Sequence, residues 1–305
     1  MKMVDKIASD LCLDQDYIAS VVKRSRFYYR DYYIDKRDGG KRKISQPSSE
    51  LKTLQYWVKE NILSKLPVSD SAYAYQKGAS IKKHAQVHQN SRHIFHTDIC
   101  SFFSSISYKH LHPILLENSR LFENLNIDLD SIDTIRDICY RENRLCVGAV
   151  SSPIISNVIM HRFDVMVLNY CKKNGLKYSR YADDIYLSSN SYIDAQHIGF
   201  LSTTLRDFEF QINEKKTYFS STKYRRKVTG LIIGTDSSVT VGSEKRKLIK
   251  KLVYDKLVHN EGDGDSILGY LAFLKDIEPH TYNNIIAKYS QYCEGDIIDA
   301  LSKKS

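Results

Sequence analysis

The sequence lacks paired cysteines. Its six (Cys12, Cys100, Cys139, Cys146, Cys171 and Cys293) are scattered over 305 residues with no Cys-x-x-Cys. That usage argues against a zinc ribbon or a disulfide framework, and a reducing, cytoplasmic location is the expectation. No apolar run is long enough to span a bilayer, and the N-terminus carries no signal-peptide core, so no membrane partner is expected. Internal repeats and low-complexity tracts are also missing. Acid is in deficit, with 36 Asp and Glu against 45 Lys and Arg, a formal charge of +9. The balance favours a polyanionic partner and salt-sensitive binding. The length suffices for a substantial core divided into subdomains and is short for a multi-enzyme chain.

What is present centres on Lys177-Tyr178-Ser179-Arg180-Tyr181-Ala182-Asp183-Asp184-Ile185-Tyr186-Leu187. Two adjacent acids stand between short runs rich in aromatic and β-branched residues, the pattern of a hairpin with acids at its tip. Asp favours turns, so the pair alone is as well explained by structure as by chemistry. A third acid changes the balance. Ile94, His96 and Asp98 share one face of an alternating strand, Ile94 to Ile99, and Asp98 falls where that strand ends. A strand end beside a hairpin tip would bring Asp98 and Asp183 together. Hard cations such as Mg²⁺ take carboxylates together with phosphates and water. Two such ions suit in-line phosphoryl transfer.

Elsewhere the pattern is coarser. Residues 1–35 read as helical and then aromatic, ending in Phe27-Tyr28-Tyr29-Arg30 and Tyr32-Tyr33. Such aromatics either stack on bases or pack the arm onto its neighbour. Asp38-Gly39-Gly40 signals a turn, so Lys36 to Ile44 should form a hairpin with Lys41, Arg42 and Lys43 at a basic tip. Leu51, Leu54, Trp57, Val58 and Ile62 recur at helical spacing. His84 and His88 lie four apart, and a structural or RNA-contacting role is favoured for them over metal. Residues 119–142 are polar and mixed and yield no assignment. Ser152-Pro153 opens a long helix, with Ser152 as its cap, that Asn174-Gly175 closes. Val228 to Ile233 and Val239 to Val241 read as a hairpin joined through Gly234 to Ser238. A helix from Ser243 should bury Leu248, Ile249, Leu252, Val253 and Leu257, leaving Lys245, Lys247, Lys250, Lys251 and Tyr254 elsewhere. The loop Asn260 to Ser266 lacks the remaining ligand positions of an EF-hand.

Tyr181-Ala182-Asp183-Asp184, with Asp98 followed by Phe103, resembles the catalytic palm of reverse transcriptases. Arg42-Lys43-Ile44-Ser45-Gln46-Pro47 and Leu51 to Trp57 are similar to the fingers motif of the bacterial enzymes. Gly148-Ala149-Val150-Ser151-Ser152-Pro153 with Ser156-Asn157 is similar to their substrate-binding motif, and Asn213-Glu214-Lys215-Lys216-Thr217 to their lysine motif. Val228-Thr229-Gly230 resembles a signature of retron reverse transcriptases. The motifs stand in the family's order and cover most of the chain.

The resemblance implies an α+β right-hand polymerase fold. Its parts would be an N-terminal extension (1–35), fingers (36–92), a palm (93–234, with an insertion near 119–142) and a helical thumb (235–305). It implies RNA-directed DNA polymerase activity with two Mg²⁺ ions, Mn²⁺ being a possible substitute. Asp98, Asp183 and Asp184 would be catalytic, with the Ile99 carbonyl as a further metal ligand. Arg42, Lys43, Phe103, Gly148, Lys215 and Lys216 would meet the incoming nucleotide, Phe103 as the sugar gate and one of the lysines as proton donor to pyrophosphate. Tyr181, Val228, Thr229, Gly230, Lys247, Lys250 and Lys251 would contact primer and template. The partners implied are deoxynucleotides, a structured noncoding RNA serving as template and primer, RNA–DNA hybrid, branched RNA-linked DNA (msDNA) and a separately encoded effector acting in antiphage defence.

Two departures stand out. Cys146-Val147 replaces the family's usual Pro-Gln, which removes a nucleotide-contacting glutamine. His84-Ala85-Gln86-Val87-His88 keeps only the closing half of the retron Asn-Ala-x-x-His. Rival readings are an intron-encoded or diversity-generating reverse transcriptase, a non-catalytic RNA-binding scaffold and a metal-dependent nuclease. No maturase or endonuclease extension is visible, which counts against the intron type, and three intact aspartates count against a scaffold.

Overall fold

The computed structural model describes residues 1–36 and 39–302. Two short helices open the chain, α1 (Met3–Leu11) and α2 (Gln15–Lys23), each burying one apolar stripe: Met3, Ile7 and Ala8, then Ile18, Val21 and Val22. The aromatic run that follows is a strand. β1 (Tyr29–Asp35) pairs antiparallel with β2 (Lys41–Pro47), Tyr29 opposite Pro47 and Asp35 opposite Lys41. The hairpin expected from Lys36 therefore begins at Tyr29, because aromatic and β-branched residues alternate well along a pleated edge. Asp38 of the turn signal lies outside the described residues.

α3 (Ser49–Asn61) buries Leu51, Leu54, Trp57 and Val58 as their spacing requires, and Gln55 with them. Then come α4 (Ile81–His88), β3 (His93–Asp98), α5 (Phe102–Ser105) and α6 (Tyr108–Glu117). The unassigned stretch folds as α7 (Arg120–Asn124), a 3₁₀ turn at Leu129–Ser131 and α8 (Thr134–Cys139). Elements this short show no period, although Phe122, Ile135, Ile138 and Cys139 are buried. α9 (Ser152–Lys173) has Ser151 at its N-cap position, one residue earlier than expected and without a side-chain capping bond, and ends at Asn174, with Gly175 left-handed at φ +67°.

β4 (Lys177–Tyr181), β5 (Asp184–Ser189), α10 (Ala195–Asp207), β6 (Tyr218–Ser221), β7 (Arg226–Val228), β8 (Leu231–Ile233) and β9 (Val239–Thr240) follow. α11 (Ser243–His259), α12 (Gly264–Ile277), α13 (Pro279–Tyr289) and α14 (Ile297–Ser302) complete the chain. One sheet has the order β4-β5-β3-β6 and another β7-β8-β9. Two compact units result. One comprises Met1–Gly78, His96–Ile185 and Asp194–Thr217; the other comprises Ala79–Phe95, Tyr186–Ile193 and Tyr218–Ser305.

The second unit has its own core, in which Val228, Leu231, Ile233, Ile249, Val253, Leu271, Leu274 and Ile285 take part. Its sheet holds one turn more than the sequence reading allowed. Val228 pairs with Leu231, so Thr229 and Gly230 form a two-residue hairpin turn with φ +47° and +84°. Positive φ at both places matches the twist of the flanking strands. Glycine adopts it freely, whereas a β-branched threonine is strained there. Thr229 is held from two sides: its amide donates to the Tyr186 hydroxyl at 3.1 Å, and its hydroxyl bonds His84 Nδ1.

On α11, Ile249 and Val253 are buried and Leu252 and Leu257 partly so, but Leu248 is exposed beside Lys247, Lys250 and Lys251. The apolar stripe is thus one residue narrower than expected. Lys256 takes the inner place, its Nζ donating to Asn260 Oδ1 at 3.0 Å. Asp263 in the following loop caps α12 by accepting from Ser266 N.

Candidate active site

The strand β3 ends at the tip of the β4–β5 hairpin. The Ile99 amide donates to the Asp183 carbonyl at 3.0 Å, which fixes Asp98 beside Asp183. Ala182, at φ +58°, makes the tight turn between the strands. Beneath it, the fully buried Arg180 donates from Nη1 to the Ala182 carbonyl at 2.9 Å. Its Nε and Nη2 grip Asp164 of α9 at 2.8 and 2.7 Å. The Tyr178 hydroxyl donates to the same carboxylate at 2.5 Å. A buried, bidentate ion pair thus anchors the acidic tip to the long helix.

The carboxylates divide into two settings. Asp98 is buried and accepts from Asn213 Nδ2 at 3.0 Å and from Lys216 Nζ at 2.8 Å. Asp183 is pushed up to about 6, by burial first, then by the Asp98 charge and then by Asp184. Asp184 lies 2.7 Å from His96 Nε2. The other ring nitrogen of His96 lies 3.2 Å from the Lys216 carbonyl. Among the described residues no three His, Cys, Asp or Glu side chains gather in ligand geometry. Of the expected ligands, Asp98 and Asp183 face one another and Asp184 is engaged by His96.

A divalent cation fits this arrangement. The donors are hard oxygens, and burial together with the Asp98 and Asp184 charges raises Asp183, a setting in which added positive charge is stabilising. Lys216 already supplies one cation to Asp98, and its own value is raised by that bond. Of the two lysines left open by sequence, Lys216 is the one on the carboxylate.

Over residues 34–233 the chain matches the family described as reverse transcriptase (RNA-dependent DNA polymerase). The chain belongs to the reverse transcriptase family. It is 32% identical over 305 residues to the retron Ec73 reverse transcriptase of Escherichia coli, covering 95% of this chain and 96% of the relative. Against the retron Ec83 enzyme of the same organism it is 30% identical over 293 residues, with 90% and 91% covered. Against retron Ec86 it is 32% identical over 270 residues, with 87% and 81% covered. Among reverse transcriptases it therefore groups with those of retrons, and its activity is RNA-directed DNA polymerisation. The α+β polymerase fold is also that of two solved telomerases. The one from Candida albicans, bound to a fragment of telomeric RNA, gives a TM-score of 0.50 at 13% identity, covering 94% of this chain and 64% of that one. The one from Candida tropicalis, without ligand, gives 0.53 at 10% identity, covering 90% and 61%. This reverse transcriptase thus spans less than two thirds of either telomerase chain.

The remaining expected site residues of the reverse transcriptase fall into distinct environments. Arg42 is exposed and makes no ion pair among the described residues, whereas Lys43, its strand neighbour, is paired with Asp31 at 3.0 Å. Asp31 also binds Arg141 and accepts from Ser45 Oγ at 2.8 Å, and these partners hold its carboxyl well below the usual range. Gly148 is left-handed at φ +113°, and a Cβ there would meet the Ser45 carbonyl at 2.8 Å. Only glycine permits that approach to β2. Phe103 is half-buried, its ring centroid 6.4 Å from that of Tyr75. Val228 is fully buried and the Thr229 hydroxyl is engaged by His84, so of that signature Gly230 alone is exposed. Lys247, Lys250 and Lys251 are exposed on α11.

Sequence reasoning missed Asn213, Tyr75 and the Arg180–Asp164 pair. Asn213 was visible as the first residue of the lysine motif. Tyr75 left a weaker trace in Tyr73-Ala74-Tyr75-Gln76-Lys77. Its φ is +62°, rare for an aromatic, and burial together with the Asp183 charge raises its hydroxyl. His88, buried, hydrogen-bonds Ser188 Oγ at 2.7 Å, so the histidine pair on α4 has a structural use. No described helix is long and apolar enough to cross a membrane.

Proposed function

We propose that this reverse transcriptase copies a structured noncoding RNA into branched, RNA-linked DNA. The observation that carries the chemical part is the facing pair Asp98 and Asp183, the second raised to about 6. Asp98 and Asp183, with the Ile99 carbonyl, would hold divalent cations, Mg²⁺ or in its place Mn²⁺. Bound there, such ions lower the pKa of an attacking hydroxyl and neutralise a triphosphate.

The protein's own groups complete the reaction. His96 orients Asp184, and Asn213 and Lys216 orient Asp98. Lys216 carries its proton at neutral pH and delivers it to the departing pyrophosphate, with Lys215 as the alternative donor. Arg42 binds triphosphate oxygens through two donors, while Lys43 holds the β1–β2 hairpin through Asp31. Phe103 presses on C2′ of the incoming sugar and rejects a ribose hydroxyl. Gly148 lets its loop close on β2 under the nucleotide. Tyr181 supports the primer end, Gly230 offers backbone to the primer strand, and Lys247, Lys250 and Lys251 follow the hybrid's phosphates without reading sequence.

The retron relatives support the further reading that synthesis starts from an internal 2′-hydroxyl of the noncoding RNA and serves antiphage defence with a separate effector. Expression with the flanking genomic DNA, followed by isolation of small nucleic acids, tests it. A short branched DNA should appear and should vanish in Asp183→Asn. Unbranched complementary DNA would favour a general reverse transcriptase.

A further inference from the structure

A second polar site lies in the second unit, lined by none of the residues assigned above to catalysis or to primer and template contact. Asn90, Ser91, Arg92, Asn190, Thr222, Arg226, Thr235 and Ser237 line a cavity of about 400 Å³. Its size lies within the usual range for ligand pockets, about 300–1,000 Å³, but its lining does not suit an apolar ligand. It consists of hydroxyls, amides and two guanidiniums, with no carboxylate.

The elements that make it are tied together by hydrogen bonds. The Thr222 amide donates to the Arg92 carbonyl at 3.0 Å, and the Arg92 amide donates to Asn190 Oδ1 at 3.2 Å. Arg226 is the unusual member. Its side chain is 3% exposed, and it donates to the carbonyls of Ser91, at 2.5 Å, and of Gly234. Among the described residues it forms no ion pair. A buried guanidinium without a counter-charge is costly, and burial lowers its value accordingly. Asp236, in the neighbouring turn, does not relieve it, since its carboxylate accepts from Ser238 N and Oγ at 3.1 and 2.7 Å. Phosphate is the anion that a guanidinium fork, hydroxyls and amides would hold together.

The residues next in the chain to this lining show which phosphate. Tyr192 and Tyr224 flank these segments in the chain and are 73% and 75% exposed. The Tyr192 ring stands edge-on to His93, at 6.1 Å between ring centroids. Lys223 and Arg92 stand exposed beside them in sequence. Exposed aromatics interleaved with cations suit unpaired bases on a phosphate backbone. We infer that this face of the second unit binds a single-stranded segment of RNA, its phosphates on Arg92, Arg226 and Lys223 and its bases on Tyr192 and Tyr224. The site would hold the noncoding RNA independently of the primer–template. It rests on the reading of the chain as an RNA-directed enzyme.

The test keeps the catalytic site filled. The protein is loaded with a preannealed poly(rC)·oligo(dG) hybrid, and binding of fluorescein-labelled rU₁₂ is followed by anisotropy across a salt series. Arg92→Ala/Lys223→Ala and Tyr224→Ala change exposed side chains and should leave extension of the hybrid at the wild-type rate. Each lost phosphate contact should reduce the salt slope by about 0.7, which at 0.15 M salt is roughly fourfold, so the double variant should bind on the order of tenfold more weakly. Arg226→Lys, which keeps a buried cation without the fork, should also weaken rU₁₂ binding. Unchanged affinity and slope would overturn the inference. So would rU₁₂ that the hybrid displaces, or variants that alter only self-association on a sizing column, which would make the face a protein interface. Failure of the wild type to extend the hybrid would count against the enzymatic reading alone, because the rU₁₂ titration does not depend on extension.

Discussion

His96 Nε2 lies 2.7 Å from Asp184 Oδ1, and this contact separates one of the three aspartates from the other two. His96 and Asp98 stand on the same face of β3, so a single strand supplies both a carboxylate of the facing pair and the group that steers the third acid. Partners that orient a metal-binding carboxylate are typically worth 10–100-fold in metal affinity or activity. His96→Ala should therefore raise the Mg²⁺ concentration needed for half-maximal primer extension by about that factor. An unchanged Mg²⁺ titration would show that Asp184 needs no such support.

Lys216 and Lys215 are neighbours, but only Lys216 is found on Asp98, at 2.8 Å. Lys216→Ala should slow extension on an RNA template by ~10²–10⁴-fold, the usual worth of a positioned proton donor. Lys215→Ala should stay close to wild type. Equal losses from the two variants, in single-turnover measurements, would contradict the assignment.

Asp183 also sets a pH dependence. Its folded value, about 6, lies above the ordinary carboxyl value of 3.8. The sign follows directly: its contribution to stability is complete below the unfolded value and is lost as pH rises through about 6. In metal-free buffer Asp183→Asn, which cannot ionise, should melt at the same temperature as wild type near pH 4 and higher than wild type at pH 7. Added Mg²⁺ should close that gap by stabilising the wild type alone. A difference in melting temperature that stays constant from pH 4 to 7 would rule out the raised carboxyl.

The Arg180–Asp164 pair is fully buried on both sides. Removing one partner strands the other charge, so Asp164→Ala should cost about 3–5 kcal/mol in urea unfolding. Because Arg180 also holds the Ala182 carbonyl, residual folded protein should extend primers more slowly than its folded fraction explains. A loss below about 1 kcal/mol would mean that the pair is not the anchor of the hairpin.

The sequence showed what has a period or a motif. Alternation around Asp98 and around Asp183 gave β3 and the β4–β5 hairpin, and helical recurrence gave α3 and α9. It did not show how each side chain is used. Arg180 sits in a run that reads only as one strand of the acidic hairpin, yet among the described residues it is the largest fully buried side chain. Leu248 looks like core but faces out, because α11 turns Lys256 inward to cap its own end through Asn260. The Thr229-Gly230 turn was hidden because threonine is a poor signal for positive φ. Bonds to Tyr186 and His84, residues distant in sequence, help to hold it there. The stretch 119–142 was unreadable because its helices are too short to repeat an apolar stripe.

The central claim is that Asp98 and Asp183 together carry the chemistry. Its most direct test is extension of a DNA primer annealed to an RNA template by purified protein in Mg²⁺, comparing wild type with Asp183→Asn under conditions where both are folded. The account predicts steady incorporation of deoxynucleotides by the wild type and none above background by the variant. Extension by Asp183→Asn at the wild-type rate would contradict it.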